Sequence, residues 1–166
     1  NSLTSNGQKI AKDKKEIIAA LDSKEPIYAN TALKIWEKAE IGYQEFESCV
    51  LLQDLLKADG FSIQTGVADI PTSFIASYGS GKPVISVLAE YDALPGVSQE
   101  AVPYLKERED GNLSGHACGH HLFGTGAVAA AIEVKNWLLK TGHQGTIRVY
   151  GTPAEEGGSG KVYMAR

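Results

Sequence analysis

Through the first third of the chain, apolar residues recur at helical spacing. Ile10, Ile17, Ile18 and Leu21 fit one face of a helix. Pro26 stands where a second helix would open, because a first turn does not need its missing N–H. Ile27, Ala32, Leu33, Trp36 and Ala39 give that helix its apolar set. A third helix is predicted from about Gln44 to Ala58, with Cys49, Leu52, Leu55 and Leu56 facing inward and Gly60 as its stop. Residues 1–9 are polar and are expected to be loose.

Beyond Gly60 the period shortens. Phe61–Thr65, Ser73–Tyr78 and Val84–Tyr91 are short β-rich runs separated by Gly, Pro and Asp. The last is apolar enough to predict a central strand, closed by Asp92-Ala-Leu-Pro95-Gly96. Residues 97–114 are charged and irregular, as in a surface loop. A long helix is predicted from near His120 to Lys140, and its Gly-Thr-Gly-Ala-Val-Ala-Ala-Ala opening would let it approach a sheet closely. Gly145–Thr152 reads as a further strand ending at Pro153. Strands alternating with helices predict an α/β sheet. No internal repeat or low-complexity segment is evident.

Composition narrows the function. With 20 acidic and 16 basic side chains there is no basic stripe for nucleic acid, and no apolar run is long enough to span a bilayer. Two cysteines make no disulfide framework. Cys49, in an amphipathic stretch, is expected to be a buried thiol, and the pair together favours a reducing, cytoplasmic setting.

Three of the four histidines and one of the cysteines fall within Gly115-His-Ala-Cys-Gly-His-His121. Cys118 and His120 precede the long helix at its positive end, a placement expected to lower the thiol pKa and favour the thiolate that binds metal. Two residues apart, they can point to one side of an extended segment. Asp92 and the Glu155-Glu156 pair each follow a predicted strand, where α/β sheets collect ligands. Adjacent glutamates point apart, so one can bind metal while the other holds the attacking water. Thiolate, imidazole and carboxylate suit zinc first, with manganese or another transition ion open. Individually each feature has a plainer reading: Asp92 as turn chemistry, Glu155-Glu156 as a solvated pair, the Cys118-x-His120 spacing as incidental. A further reading takes Cys118 and His120 as structural zinc ligands, which needs a second pair and has only His116 and His121 nearby. Gly157-Gly-Ser-Gly-Lys161 fails as a phosphate loop, since Val162 follows the lysine. No Gly-x-Ser-x-Gly elbow is present.

Ala89-Glu-Tyr-Asp-Ala-Leu-Pro-Gly96, Gly115-His-Ala-Cys-Gly-His120 and Gly151-Thr-Pro-Ala-Glu-Glu-Gly-Gly-Ser-Gly-Lys161 resemble the signatures of the aminoacylase/carboxypeptidase superfamily of metallohydrolases. The likeness is strongest to the amidohydrolase branch that includes plant auxin-conjugate hydrolases, and Glu40-Ile-Gly-Tyr-Gln-Glu45 also resembles a segment of that branch. The resemblance implies a zinc-exopeptidase-like catalytic domain, a three-layer sheet with flanking helices, holding two divalent ions (Mn or Zn). By motif position Cys118, His120 and Glu156 match metal ligands, Glu155 the general base, and Asp92 the aspartate that supports a ligand imidazole, here expected to be His120. Where other members carry a ligand histidine this chain has Glu90. The roles of His116 and His121 stay open.

The resemblance further implies that residues 1–166 are the N-terminal part of a catalytic domain. Its C-terminal part and a dimerising lid domain would supply the next ligand histidine, some twenty residues past Arg166. The fragment alone is expected to be inactive, and the complete enzyme to be a homodimer or to pair with a related subunit. The expected activity is hydrolysis of small-molecule amides, N-acyl or N-aroyl amino acids, p-aminobenzoyl-glutamate first. The alternatives are a dipeptidase and a non-catalytic metal- or small-molecule-binding domain.

Overall fold

The computed structural model describes residues 2–166, with side chains from residue 12 onward. In chain order it comprises α1 (Ser2–Lys38), α2 (Phe46–Ala58), β1 (Ser62–Thr65), a 3-10 turn (Val67–Asp69), β2 (Phe74–Ser80), β3 (Val84–Ala89), α3 (His120–Thr141), β4 (Gly145–Gly151) and α4 (Gly160–Met164).

Pro26 does not open a second helix. It lies inside α1, a single helix of 37 residues. Proline leaves one carbonyl four residues back without its partner. Here that is Asp22, and both Asp22 and Pro26 are exposed, so water can serve the freed oxygen. Nor are residues 2–9 loose, since α1 runs from Ser2. Asn1 and the Ile10 side chain lie outside the described residues. Downstream, α2 ends as predicted, with Gly60 at φ 83.

The four strands form one sheet in the order β1-β2-β4-β3. Only β3 and β4 are parallel, in the register Ala89↔Gly151. The helix α3 joins them. Ala76, Val149 and Val87 share a cross-strand row on the helix-covered face, where they meet Leu52, Leu56, Val128, Ala131 and Ile132 in the core. On the other face Leu88 and Val84 are about half exposed. β3 is therefore an edge strand among the described residues, not the central one its apolarity predicts. Ile85, Val87 and Ala89 follow the helix side of the pleat, but no strand lies beyond it among those residues.

The glycine at the start of α3 acts as predicted. A Cβ at Gly124 would stand 2.3 Å from the Glu90 carbonyl oxygen, whereas one at Gly126 would meet nothing within 4 Å. The first turn of α3 thus lies against the end of β3. Because β3 and β4 run parallel, Asp92 and Glu155 leave the sheet at the same end, beside the N-terminus of α3.

Candidate metal centre

His120 is the first residue of α3 and is 7% exposed. Its Nδ1 donates to Asp92 Oδ1 at 2.9 Å. The other Asp92 oxygen accepts the Glu156 N–H at 2.8 Å. Asp92, 1% exposed, is fully committed to these two donors. Burial raises its carboxyl pKa, yet His120 and the Glu156 amide outweigh that and leave it below the ordinary value. Asp92 in turn raises the His120 pKa against the opposing effect of burial.

With Nδ1 donating, the neutral ring keeps its lone pair on Nε2. Nε2 faces Glu90 Oε2 at 3.0 Å and Glu155 Oε2 at 3.9 Å. Two lone pairs at the shorter distance need a proton or a cation between them. On the opposite side of the ring, Glu156 Oε1 lies 3.9 Å from Nδ1 and is buried without a hydrogen-bond partner. Lys161 brings a cation to these acids, with Nζ 2.5 Å from Glu90 Oε1.

Cys118, His120, Glu155, Glu156 and Asp92 therefore come together on one rim. The tightest group of donor atoms, within 4.8 Å of one another, is Glu90, His120 and Glu155, whereas the sequence pointed to Cys118, His120 and Glu156. Cys118 is exposed, and its thiol pKa is raised rather than lowered, first by its contact with Glu156 and further by the charges of Glu156, Glu155 and Asp92. His116 donates from Nε2 to the Ile35 carbonyl at 3.1 Å, and His121 packs edge-on against Trp36 at 4.8 Å. Burial holds the pKa of both imidazoles down, His121 to about 4. These neutral rings brace the loop.

Lys161 closes both the motif weighed for phosphate and the third signature without a role in either, and Glu90 had none. The signal for Glu90 was position: it stands two residues before Asp92, and both side chains reach His120. The donor set suits a borderline divalent ion: an imidazole nitrogen with its tautomer fixed by a carboxylate, several carboxylate oxygens, one orphaned, and a neighbouring thiol.

A mixed sheet whose parallel strands deliver acids to a carboxylate-pinned imidazole has the make-up of a metal site. Residues 87–166 match peptidase family M20/M25/M40, and the chain belongs to that family. It is 47% identical over 147 residues to a p-aminobenzoyl-glutamate hydrolase subunit of Escherichia coli (strain K12), covering 89% of this chain and 31% of that protein. To IAA-amino acid hydrolase ILR1-like 5 of Arabidopsis thaliana it is 36% identical over 129 residues, 76% of this chain and 28% of the relative. A Bacillus subtilis dinuclear metal binding peptidase from the M20 family superposes with a TM-score of 0.72 at 25% identity, over 87% of this chain and 39% of that one. The fold of a Klebsiella pneumoniae aminobenzoyl-glutamate utilization protein matches with a TM-score of 0.61 at 16% identity, over 90% and 42%. The chain spans about a third of the length of the curated relatives it matches.

Proposed function

We propose that this chain forms the N-terminal part of the catalytic domain of a metal-dependent amidohydrolase. The observation that carries the reading is the His120 ring, pinned by Asp92 with Nε2 turned toward Glu90 and Glu155, and with the orphaned Glu156 oxygen on the Nδ1 side. His120, Cys118 and Glu156 would hold a divalent ion, with Glu90 close enough to join them, and the rest of the domain would add the ligands for a second. Zinc or manganese bound there would polarise the scissile carbonyl and acidify the attacking water.

Glu155 is the base in this reading. Its side chain is 43% exposed and stands beside His120 Nε2, so it can reach solvent and substrate together. It would take a proton from water at its carboxylate and return it to the leaving amine. Asp92 keeps the imidazole in one tautomer and, through the Glu156 amide, fixes the loop that carries both glutamates. The favoured substrates are N-acyl or N-aroyl amino acids, with p-aminobenzoyl-glutamate first, as the 47%-identical relative suggests. That relative is itself one subunit of a hydrolase, which supports assembly with a second subunit, of the same or a related kind. Two free thiols support a reducing, cytoplasmic setting.

In the complete protein, Glu155→Gln is expected to keep the bound metal while slowing amide hydrolysis by about 10²–10⁴-fold. Metal content and initial rates on p-aminobenzoyl-glutamate and on a dipeptide check this. Undiminished hydrolysis overturns the role of Glu155, and a wild-type protein that binds metal but cleaves neither amide favours the non-catalytic alternative.

A further inference from the structure

Glu45 is completely buried, and its carboxylate bonds to none of the groups of the metal centre. It is the residue before α2, but its side chain makes no capping hydrogen bond to that helix. Instead Oε1 accepts the N–H of Ala154 at 2.7 Å, across 109 positions of sequence. Ala154 immediately precedes Glu155 and has φ 55, a left-handed conformation unfavourable for any residue with a Cβ. Such a conformation persists where its surroundings over-determine it.

Those surroundings come from one short segment. A Cβ at Gly42 would lie 3.0 Å from both Cα and Cβ of Ala154, so that glycine lets the two backbones touch. The Tyr43 hydroxyl donates to the Gly158 carbonyl, on the far side of the two glutamates. The Glu40 carbonyl accepts the Ala93 N–H at 2.8 Å, next to Asp92. Residues 40–45 thus hold both acid-bearing loops from behind, and Glu45 supplies the only charged acceptor in that set. A hydrogen bond to an ionised acceptor is roughly twice as strong as a neutral one.

We propose that Glu45 is a positioning residue: by capturing the Ala154 amide, its carboxylate fixes the left-handed residue from which Glu155 and Glu156 project, and so sets where both acids stand relative to His120. The kinetic consequence rests on the hydrolase reading, whereas the geometric one does not. Glu45 Oε2 and the neighbouring Thr72 hydroxyl are both buried without partners of hydrogen-bond geometry. A glutamine could keep the Ala154 bond through its oxygen and donate to Thr72 through its nitrogen.

The test uses the complete protein, with Co(II) alone as the metal probe. Glu45→Met, similar in length but without an acceptor, is expected to speed exchange of the Ala154 amide hydrogen at least about 10-fold, the loss expected for removing one hydrogen bond to a charged group. It should also weaken Co(II) binding, alter the Co(II) absorption spectrum, and lower kcat about 10-fold with KM within twofold, on the scale of other supporting contacts. Glu45→Gln, which keeps the oxygen acceptor without the charge, should recover most of each of the four readings. Unchanged Ala154 exchange and an unchanged Co(II) spectrum in folded Glu45→Met overturn the proposal. If Glu45→Met does not fold, Tyr43→Phe decides, because that side chain is exposed: a smaller change in the same direction supports the clamp and none overturns it. A wild-type protein that binds no Co(II) instead removes the hydrolase reading and leaves Ala154 exchange as the test of the clamp.

Discussion

Two regions gather ionisable side chains, and they balance their charges differently. Along the α1–α3 seam, Lys24 pairs with Glu133 at 2.7 Å, Lys140 with Glu16, and the Trp137 indole donates to Asp13 at 3.2 Å. Acids and cations there are nearly matched, and all but the buried Glu133 lie toward solvent. At the carboxyl rim of the sheet, Glu45, Glu90, Asp92, Glu155 and Glu156 converge, with Lys161 and the His120 ring as their cations. Among the described residues, four of the six non-glycine positions with positive φ also flank this rim: Ala39, Tyr43, Ala154 and Ser159. A seam holds two helices together. The rim instead carries excess negative charge on backbone that is locally left-handed.

The largest expected difference between the two regions is in metal affinity. Asp92→Asn can serve only one of the two N–H donors that Asp92 now accepts, and is expected to weaken metal binding by the complete protein about 10–100-fold, measured by chelator competition. The seam counterpart, Lys24→Met, leaves the Glu133 carboxylate, 3% exposed, with the Asn136 amide but without its cation, and should cost roughly 1–3 kcal/mol of stability with no change in metal affinity. An effect of Lys24→Met on metal would erase the distinction.

Packing sharpens the comparison within α3 itself. Gly124→Ala drives a methyl into the Glu90 carbonyl and is expected to destabilise by roughly 1–3 kcal/mol. Gly126→Ala, facing open space, should stabilise by up to about 1 kcal/mol through helix propensity. Thermal unfolding of the two variants checks both signs.

The thiols give a smaller, chemical contrast. Burial pushes the Cys49 thiol up to about 11, so iodoacetamide should modify exposed Cys118 and spare Cys49. Added zinc should protect Cys118 if it is a ligand, and equal labelling of both would contradict the burial of Cys49.

The mildest effect is on acid stability. His121 titrates near 6.5 when unfolded and at about 4 when folded. Between those values the unfolded chain binds a proton that the folded one refuses, so the His121 contribution falls as pH drops from about 6.5 to about 4. Unfolding curves of His121→Phe should show a shallower slope across that window than the wild type.

Periodicity and punctuation made α2, α3 and the four strands legible, because Gly60, the helical spacing and the β-rich runs report local preference. Pro26 misled because a proline is tolerated inside a helix when its orphaned carbonyl faces water. Apolarity likewise misplaced β3, since it reports the faces of a strand rather than its neighbours. At the rim, residue types and their strand-end positions sufficed to bring Asp92, Cys118, His120, Glu155 and Glu156 forward. The Glu45–Ala154 bond joins residues 109 apart and the Lys161–Glu90 pair also links distant segments, so neither leaves a local pattern. The raised Cys118 thiol was hidden for the same reason, because the carboxylates responsible come from other segments.

The short bridge between Leu94 and Gly115, closed by hydrogen bonds of 2.9 and 3.0 Å, pinches off the excursion between Asp92 and Cys118. Insertions or deletions within residues 97–114 can therefore be absorbed above that pinch, so kindred chains are free to differ in length there. A single residue gained or lost between Val84 and Asp92 would have no such outlet, because it would turn Asp92 to the other side of the pleat and away from His120.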